Sequence, residues 1–278
     1  MKTTTNVCVA ICASLILFVG ASTALAQAPP TATHLYVMDE GSGTTTADLG
    51  SPGGVNGTLQ SGTSWSTDTP FSYSGNRSVV MADSASDGTI DITGAFPTDA
   101  DAVEQWSVSM WAKRNSSDDG WAGLLGSWSS GAGIAGDFQI RQHPTIPVQI
   151  IGRNPSGQLF SSNAGGASWP ADEWSHIAIN VDHTSGQTEW WIDGDYSTTA
   201  ITVGGTGGWS NTGGTIGSGN VYAMQGPMDE VAIWNERLLS QGEASYLFNN
   251  TVVPEPSSFF LLAAGALGLL VGRGRRNR

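Results

Sequence analysis

The sequence predicts an all-β protein built as a sandwich of two antiparallel sheets. Only 13% of its 278 residues are charged and 37 are glycine, a composition typical of short strands joined by turns rather than of a helical bundle. Its apolar stretches are short and alternate with polar residues, as strands with one buried face do. A propeller or a solenoid would show an internal repeat of about 20–50 residues, and the sequence has none.

The alternation is strongest in two segments, which we predict to be central strands. Residues 106–112 place Trp106, Val108 and Met110 on one face, and residues 174–182 place their isoleucines and Val181 inward. An Asp-Gly pair at 193–194 is a strong hairpin signal after a strand at 189–192. Shorter strands are predicted at 35–38, 58–59, 77–81, 89–92, 124–126, 138–141, 148–151, 215–217 and 228–234, with a short closing helix at 237–248.

The first 26 residues have the three parts of a secretory signal peptide. Lys2 precedes an uncharged apolar run from residue 7 to about residue 21, and Ala24-Leu25-Ala26 supplies a small-residue cleavage site. The run is short for a membrane span, and the prolines at 29 and 30 disfavour a longer helix. We therefore predict cleavage after residue 26 by signal peptidase; a buried core helix is the alternative.

The C-terminus combines a short motif, an apolar stretch and a basic tail. Pro254, Glu255 and Pro256 precede the apolar residues 259–271, and the tail contains Arg273, Arg275 and Arg276. A basic tail stays on the cytoplasmic side of a membrane, and so short an apolar stretch suits a temporary anchor. This order resembles the PEP-CTERM sorting signal of Gram-negative bacteria. The resemblance implies a transmembrane sorting helix held transiently in the inner membrane, cleavage by an exosortase protease, and delivery to the cell surface or extracellular matrix; an ordinary single-pass tail anchor is the alternative.

Removal of both ends leaves one predicted domain, residues 27–252, followed by the sorting segment at 253–278. Both cysteines, Cys8 and Cys12, lie in the signal peptide, so the domain has neither a disulfide nor a thiolate metal site. Its six Lys and Arg against 23 Asp and Glu give a net charge of −17. A surface this acidic argues against nucleic acid and anionic lipid as partners. It suits hard cations such as Ca²⁺, or simply the solubility of a secreted protein.

Four stretches, in order, resemble the LamG-like, concanavalin A-like jelly roll. They are residues 35–59, with their Asp-Glu-Gly-Ser-Gly turn, residues 108–113, residues 174–194, and residues 216–235, with their Met-Asp-Glu-Val-Ala-Ile-Trp-Asn run. The resemblance covers residues from about 33 to 249. It implies a two-sheet antiparallel jelly roll and, with the sorting signal, an exported protein that binds carbohydrate or a matrix polymer.

The resemblance also implies a structural Ca²⁺ ion where the first loop meets the last strand. Asp48 and Asn56 on the loop and Asp229 on the strand are the predicted ligands, with Asp39 in reserve. Ca²⁺ prefers carboxylate and carbonyl oxygens, which a Gly-rich loop can supply. The alternative is that these aspartates stabilise turns, as Asp does in many loops.

Tryptophan side chains are the predicted sugar contacts, because their rings can stack on sugar faces. Alternation along the strands predicts that Trp111 and Trp191 point outward, opposite the buried faces. Trp128, Trp169 and Trp209 lie in Gly- and Ser-rich loops. The alternative for each of them is packing, since most tryptophans of a sandwich contribute to its core.

No motif in the sequence indicates catalysis. Glucanases of this fold carry a Glu-x-Asp-x-x-Glu run, and the nearest acids here, Asp229, Glu230 and Glu236, have a different spacing. Nucleophile-elbow, zinc-protease and phosphate-loop motifs are missing from the sequence, and His176 is expected to be a packed residue. We therefore predict a non-enzymatic binding protein. The alternatives are an adhesive protein-binding module without a sugar site and an unrecognised polysaccharide hydrolase or lyase.

Overall fold

Sixteen short strands and one helix make up the described part of the chain. The computed structural model describes residues 30–81, 88–96, 103–116, 120–127, 135–143, 145–154, 156–166, 168–202, 213–217 and 224–251. The predicted signal peptide and sorting segment lie outside the described residues, as do Trp128 and Trp209. No helix in these ranges is long and apolar enough to cross a membrane.

The strands have the following bounds, in chain order: β1 His34–Tyr36, β2 Thr45–Thr46, β3 Gly57–Leu59, β4 Ser64–Ser66, β5 Ser78–Met81, β6 Ile90–Asp91, β7 Gln105–Ala112, β8 Ala122–Gly126, β9 Phe138–His143, β10 Ile146–Arg153, β11 Leu159–Asn163, β12 Ser175–Asp182, β13 Gln187–Ile192, β14 Asp195–Ala200, β15 Thr215–Ile216 and β16 Gly226–Asn235. The helix, α1, spans Gln241–Asn249.

The strands form two antiparallel sheets, which confirms the predicted sandwich. The first sheet has the order β14-β13-β12-β7-β16-β5-β4, with β1 added to β16. The second has the order β11-β10-β9-β8-β15-β6-β3-β2. Strands distant in sequence are neighbours in both sheets, as in a jelly roll, where the chain crosses repeatedly between the two layers.

The main core lies between the sheets and is built from the predicted inward faces. Trp106, Val108 and Met110 of β7 are fully buried in it, and so are Ile177, Ile179 and Val181 of β12. The second sheet contributes alternate residues such as Phe138, Ile140 and Ile150. Because side chains alternate along a strand, the residues between these point away from the core.

The hairpin between β13 and β14 forms at the predicted Asp-Gly turn. Asp193 and Gly194 both have positive φ, 51° and 85°, as a two-residue turn matched to the strand twist requires. The sequence analysis missed the strand that follows. Its six residues, Asp195–Ala200, are polar or small, and an edge strand with little buried surface leaves little apolar alternation to detect.

Helix α1 covers the outer face of the first sheet. It begins later than predicted because Ser240 caps it: the Ser240 hydroxyl accepts from the Glu243 N–H, and the Glu243 carboxylate accepts from the Ser240 N–H. Ser240 itself is extended, and the segment before it is held by the sheet. The Asn180 side chain exchanges hydrogen bonds of 2.8 and 2.9 Å with both backbone groups of Leu239.

Candidate functional site

The two tryptophans predicted to be exposed are buried. Only 8% of Trp111 and 3% of Trp191 is accessible. Both point away from the main core as expected, but α1 and the preceding segment pack over that face and create a second apolar cluster, which contains Trp191, Trp234 and Leu247. The prediction of exposed stacking platforms was therefore wrong. The alternation of side chains along a strand indicates on which face of the sheet a residue lies. It does not indicate whether another element packs over that face.

Trp111 is enclosed by other rings. Phe71 meets it edge-on at a centroid distance of 5.1 Å, and Phe248 of α1 stacks on it at 6.0 Å. Trp169, which was expected in a loop, is also buried, and the guanidinium of Arg114 lies 6.0 Å from its ring centroid. None of these three tryptophans is available to stack on a ligand in this conformation.

Asp48 holds the first loop together through its carboxylate. Its two oxygens accept hydrogen bonds of 2.7–3.1 Å from His34 Nδ1 and from the backbone N–H groups of Leu35, Gly50 and Val55. Burial would raise the pKa of Asp48, but these hydrogen bonds outweigh burial and lower it. The Asn56 side-chain oxygen accepts from the Asp48 N–H. Both side chains therefore stabilise the turn, and their oxygens already have donors.

Asp229 has a different set of neighbours. It is fully buried on β16 and lies near Asp39 and Glu230. Burial, followed by the charges of Glu230 and Asp39, raises its pKa well above the usual value. Its Oδ1 accepts from the Glu230 N–H, whereas its Oδ2 has no hydrogen-bond partner among the described residues.

Each predicted calcium ligand has a hydrogen-bond partner of its own in the described structure. Within the described ranges, no group of three or more Asp, Glu, His and Cys side chains is placed to hold a metal ion. The reserve ligand, Asp39, accepts hydrogen bonds from the Arg77 N–H and the Tyr73 hydroxyl, both at 2.9 Å. Calcium binding at Asp48, Asn56 and Asp229 therefore stays a prediction.

His176 is the packed residue that the sequence predicted. It is fully buried on β12, and its Nε2 lies 2.8 Å from the Ser109 hydroxyl. Burial lowers its pKa to about 3. A histidine this deeply buried and neutral at physiological pH has no route to a solvent-borne substrate.

The outer face of the second sheet carries a polar ladder that the sequence analysis missed. We call the outward surface of β9, β10 and β11, together with Trp121, the open face. Gln149 pairs in register with Arg141 on one side and Asn163 on the other. Arg141 donates to Gln149 Oε1 through Nε and Nη2 at 3.1 and 2.9 Å, and Gln149 Nε2 donates to Asn163 Oδ1 at 3.2 Å.

Trp121 lies at the β8 end of this ladder. Its ring lies beneath the Arg141 guanidinium, with 4.0 Å between Cζ and the ring centroid, a cation–π contact. The His143 ring meets Trp121 edge-on at 4.2 Å. Burial, and then the charge of Arg141, lowers the pKa of His143. All of these side chains are half-buried, so they are both ordered and accessible.

The open face combines the groups that recognise sugars. Guanidinium and amide groups pair with adjacent hydroxyls, and the exposed part of an indole ring offers an apolar surface beside them. The ladder orders these side chains before any ligand arrives, which lowers the entropic cost of binding. The ladder is difficult to recognise in the sequence, because polar residues at alternate positions occur on the solvent-facing side of many strands. No helix of the described chain packs on this face.

Comparison with known proteins agrees with the fold. Residues 86–245 match the concanavalin A-like lectin/glucanases superfamily, and residues 252–276 match the PEP-CTERM protein-sorting motif. No curated protein matches the chain. The sorting motif and the sandwich together point to an exported, cell-surface protein.

Several solved structures share the sandwich at low sequence identity. The binding domain of Paraclostridial Mosquitocidal Protein 1 is 16% identical, with a TM-score of 0.56 over 79% of this chain and 52% of that one. Domain 4 of AbnA, an extracellular arabinanase of Geobacillus stearothermophilus, is 15% identical, with a TM-score of 0.53 over 79% and 98%. The binding domain of botulinum neurotoxin serotype D is 13% identical, with a TM-score of 0.57 over 79% and 50%.

The chain spans about half the length of the two toxin domains. At these identities the likeness concerns the fold, and the fold agrees with the sequence match over more than half of the chain. The chain belongs to the concanavalin A-like lectin/glucanases superfamily.

Proposed function

We propose that this protein is a non-enzymatic carbohydrate-binding module displayed at the cell surface, and that the open face carries its site. The observation that carries the proposal is the preordered ladder Trp121–Arg141–Gln149–Asn163. Sugar-binding sites need a few fixed polar groups beside an aromatic surface, and this face provides both.

Two similar structures support a binding role. Domain 4 of AbnA was solved in complex with arabinotriose, and a botulinum neurotoxin serotype D ligand-binding domain was solved in complex with N-acetylneuraminic acid. The composition of the open face also favours binding over hydrolysis. Glycoside cleavage uses two carboxyl groups, and β9, β10 and β11 contain no Asp or Glu.

Export would proceed in two steps under this proposal. Signal peptidase would remove residues 1–26, and an exosortase-type protease would act near Pro254, Glu255 and Pro256 after transient anchoring in the inner membrane. The matched sorting motif supports the second step. The binding module would then meet polysaccharides of the cell surface or matrix.

The test is a polysaccharide binding panel with the full chain, purified in mild detergent. We expect Trp121→Ala to weaken binding of the best ligand about tenfold or more, because a lost stacking contact of ~1.4 kcal/mol is a factor of ten. Tyr196→Ala is the matched control, since Tyr196 is an aromatic residue of the first sheet that is 49% exposed. Melting temperatures of both variants report whether they fold.

Three results would overturn the proposal. Binding that Trp121→Ala leaves unchanged would remove the open face from consideration. Binding to proteins but to no polysaccharide would favour the adhesive module. Release of shortened products from any polymer of the panel would establish an enzyme.

A further inference from the structure

His143 lies on the open face, two residues beyond Arg141 along β9. Ile140 of the same strand is in the main core, so alternation points Arg141 and His143 outward together. Trp121 contacts both of them: its ring centroid lies 4.0 Å from the Arg141 Cζ and 4.2 Å from the centroid of the His143 ring. His143 therefore belongs to the surface to which the proposed function assigns ligand binding.

The turn after β9 fixes the position of the His143 proton. The backbone N–H of Thr145 donates to His143 Nδ1 at 3.1 Å. A backbone amide can only donate, so Nδ1 is the acceptor and carries no hydrogen. Burial, and then the charge of Arg141, lowers the pKa of His143, so its ring is neutral at pH 7. The single proton of the neutral ring is then on Nε2.

The Nε2–H group of His143 is accessible to a ligand. Nε2 has no hydrogen-bond partner among the described residues, and it is not buried. His176 and His183 differ in this respect, because the Nε2 of His176 lies 2.8 Å from the Ser109 hydroxyl and the Nε2 of His183 is buried. A ring held by a hydrogen bond at Nδ1 presents its other N–H in a set direction, which lowers the entropic cost of binding.

A neutral N–H donor selects an oxygen that can accept. Hydroxyl, ring and acetyl oxygens of a sugar all have lone pairs for such a bond. Because Nε2 carries the proton, it cannot accept from a sugar hydroxyl at the same time. The tautomer therefore sets the direction of the hydrogen bond as well as its place on the open face.

We infer that His143 is a ligand-contacting residue, which donates its Nε2 proton to an oxygen of the sugar unit bound beside Trp121. This inference rests on the proposed function and adds to it a specific contact with a defined direction. A role for His143 in packing against Trp121 would require the ring but not the N–H group, and this difference makes the inference testable.

The experiment separates the N–H group from the ring. His143→Phe keeps an aromatic ring beside Trp121 but removes the donor, whereas His143→Gln removes the ring but carries an amide N–H at a similar distance from the backbone. Binding of soluble arabinan, xylan, dextran and chitin oligosaccharides is measured at pH 7 with the full chain in mild detergent. For the ligand that the original protein binds most tightly, we expect His143→Phe to weaken affinity about fivefold or more, the effect of one lost hydrogen bond. We expect His143→Gln to stay within about twofold of the original protein, because it keeps a donor.

Thr145→Ala is the matched control. It removes the hydroxyl beside Nδ1 but keeps the backbone N–H that fixes the tautomer, so it should change affinity less than about twofold. Melting temperatures report whether each variant folds. A measurement on the original protein needs neither a variant nor a ligand: nitrogen-15 NMR of the histidine rings at pH 7 should place the His143 proton on Nε2.

Four results would overturn the inference. A His143 proton found on Nδ1 would remove the donor. Full binding by His143→Phe with weaker binding by His143→Gln would leave only the packing role. Equal loss in both variants would show that the N–H group is not what the ligand needs. If neither variant changes affinity while Trp121→Ala does, the binding function stands and the inference fails. If none of the four ligands binds, the proposed function fails with it.

Discussion

The pKa of Asp229 is raised well above its usual value by burial and by the neighbouring charges of Glu230 and Asp39. It is fully buried, it lies near Asp39 and Glu230, and its Oδ2 has no hydrogen-bond partner within the described ranges. Desolvation and like charges both disfavour the ionised form, so the folded protein holds the proton of Asp229 more tightly than the unfolded chain does. Stability therefore falls as the pH rises from the unfolded pKa, about 3.9, through the raised folded pKa.

Asp229→Asn should stabilise the protein at neutral pH when calcium is chelated. Asparagine resembles the protonated acid and keeps the oxygen that accepts from the Glu230 N–H. We expect a melting temperature higher by at least ~2–4 °C at pH 7, which is the effect of about 1 kcal/mol in a domain of this size. The gain should shrink toward pH 4. Thermal melts across pH measure it, with the exposed Asp195→Asn as the control.

The same melts test the predicted calcium site. If Ca²⁺ binds at Asp229, calcium must raise the melting temperature of the original protein by mass action, and Asp229→Asn must lose that response. A variant that melts lower than the original protein in chelator would contradict the electrostatic argument. Equal melting temperatures with and without calcium would remove the metal prediction.

At the scale of single elements, α1 determines which aromatic residues are accessible. A helix of nine residues is too short to be stable alone, so it depends on its capping box and on the face it buries. Ala244 and Leu247 enter the second cluster beside Trp191 and Trp234. The helix thereby buries part of the outer face of the first sheet, which would otherwise be exposed to solvent.

Leu247→Ala should loosen this helix and expose the tryptophans beneath it. Removing a fully buried leucine costs about 2–5 kcal/mol, depending on how far the site collapses. We expect a lower melting temperature and stronger quenching of tryptophan fluorescence by acrylamide. Ser245→Ala, on the exposed side of α1, should change neither. If quenching is unchanged while stability drops, α1 does not act as the cover of this face.

At the scale of the whole molecule, the proposed binding site and the sorting motif lie in separate segments. The sandwich provides the open face, and residues 252–276 provide the sorting motif. The open face depends on the packing of strands, whereas the sorting motif depends on a short contiguous sequence. We therefore expect a change in one segment to leave the other unaffected.

Replacing Pro254, Glu255 and Pro256 together with alanine should block processing. The expected result is a longer chain that stays with the inner-membrane fraction, while its sugar binding is unchanged. Cell fractionation and immunoblotting measure both the size and the location of the chain. Ser258→Ala, just beyond the motif, is the control. Normal release of the alanine variant would show that the motif does not direct sorting.

The sequence by itself determined the fold class, most strands and the sorting motif. These depend on local information: the alternation along β7 and β12, the Asp-Gly turn at 193–194, and a contiguous motif at the C-terminus. A period of two along a strand identifies its buried face whichever strand pairs with it. The strands β2, β4, β11 and β14 escaped detection because each has at most one buried apolar side chain, which is too few to create a pattern.

Only the tertiary structure decided what each face does. Trp111 points outward as its position in β7 predicts, yet α1, more than 100 residues away along the chain, buries it. Asp48 accepts hydrogen bonds from the first loop, whereas Asp229 lies near Asp39 and Glu230, and the sequence spacing reveals neither set of neighbours. Arg141, Gln149 and Asn163 become one ladder only through the register of three strands. Accessibility and side-chain clustering are properties of packing between distant segments, and a local pattern carries no information about them.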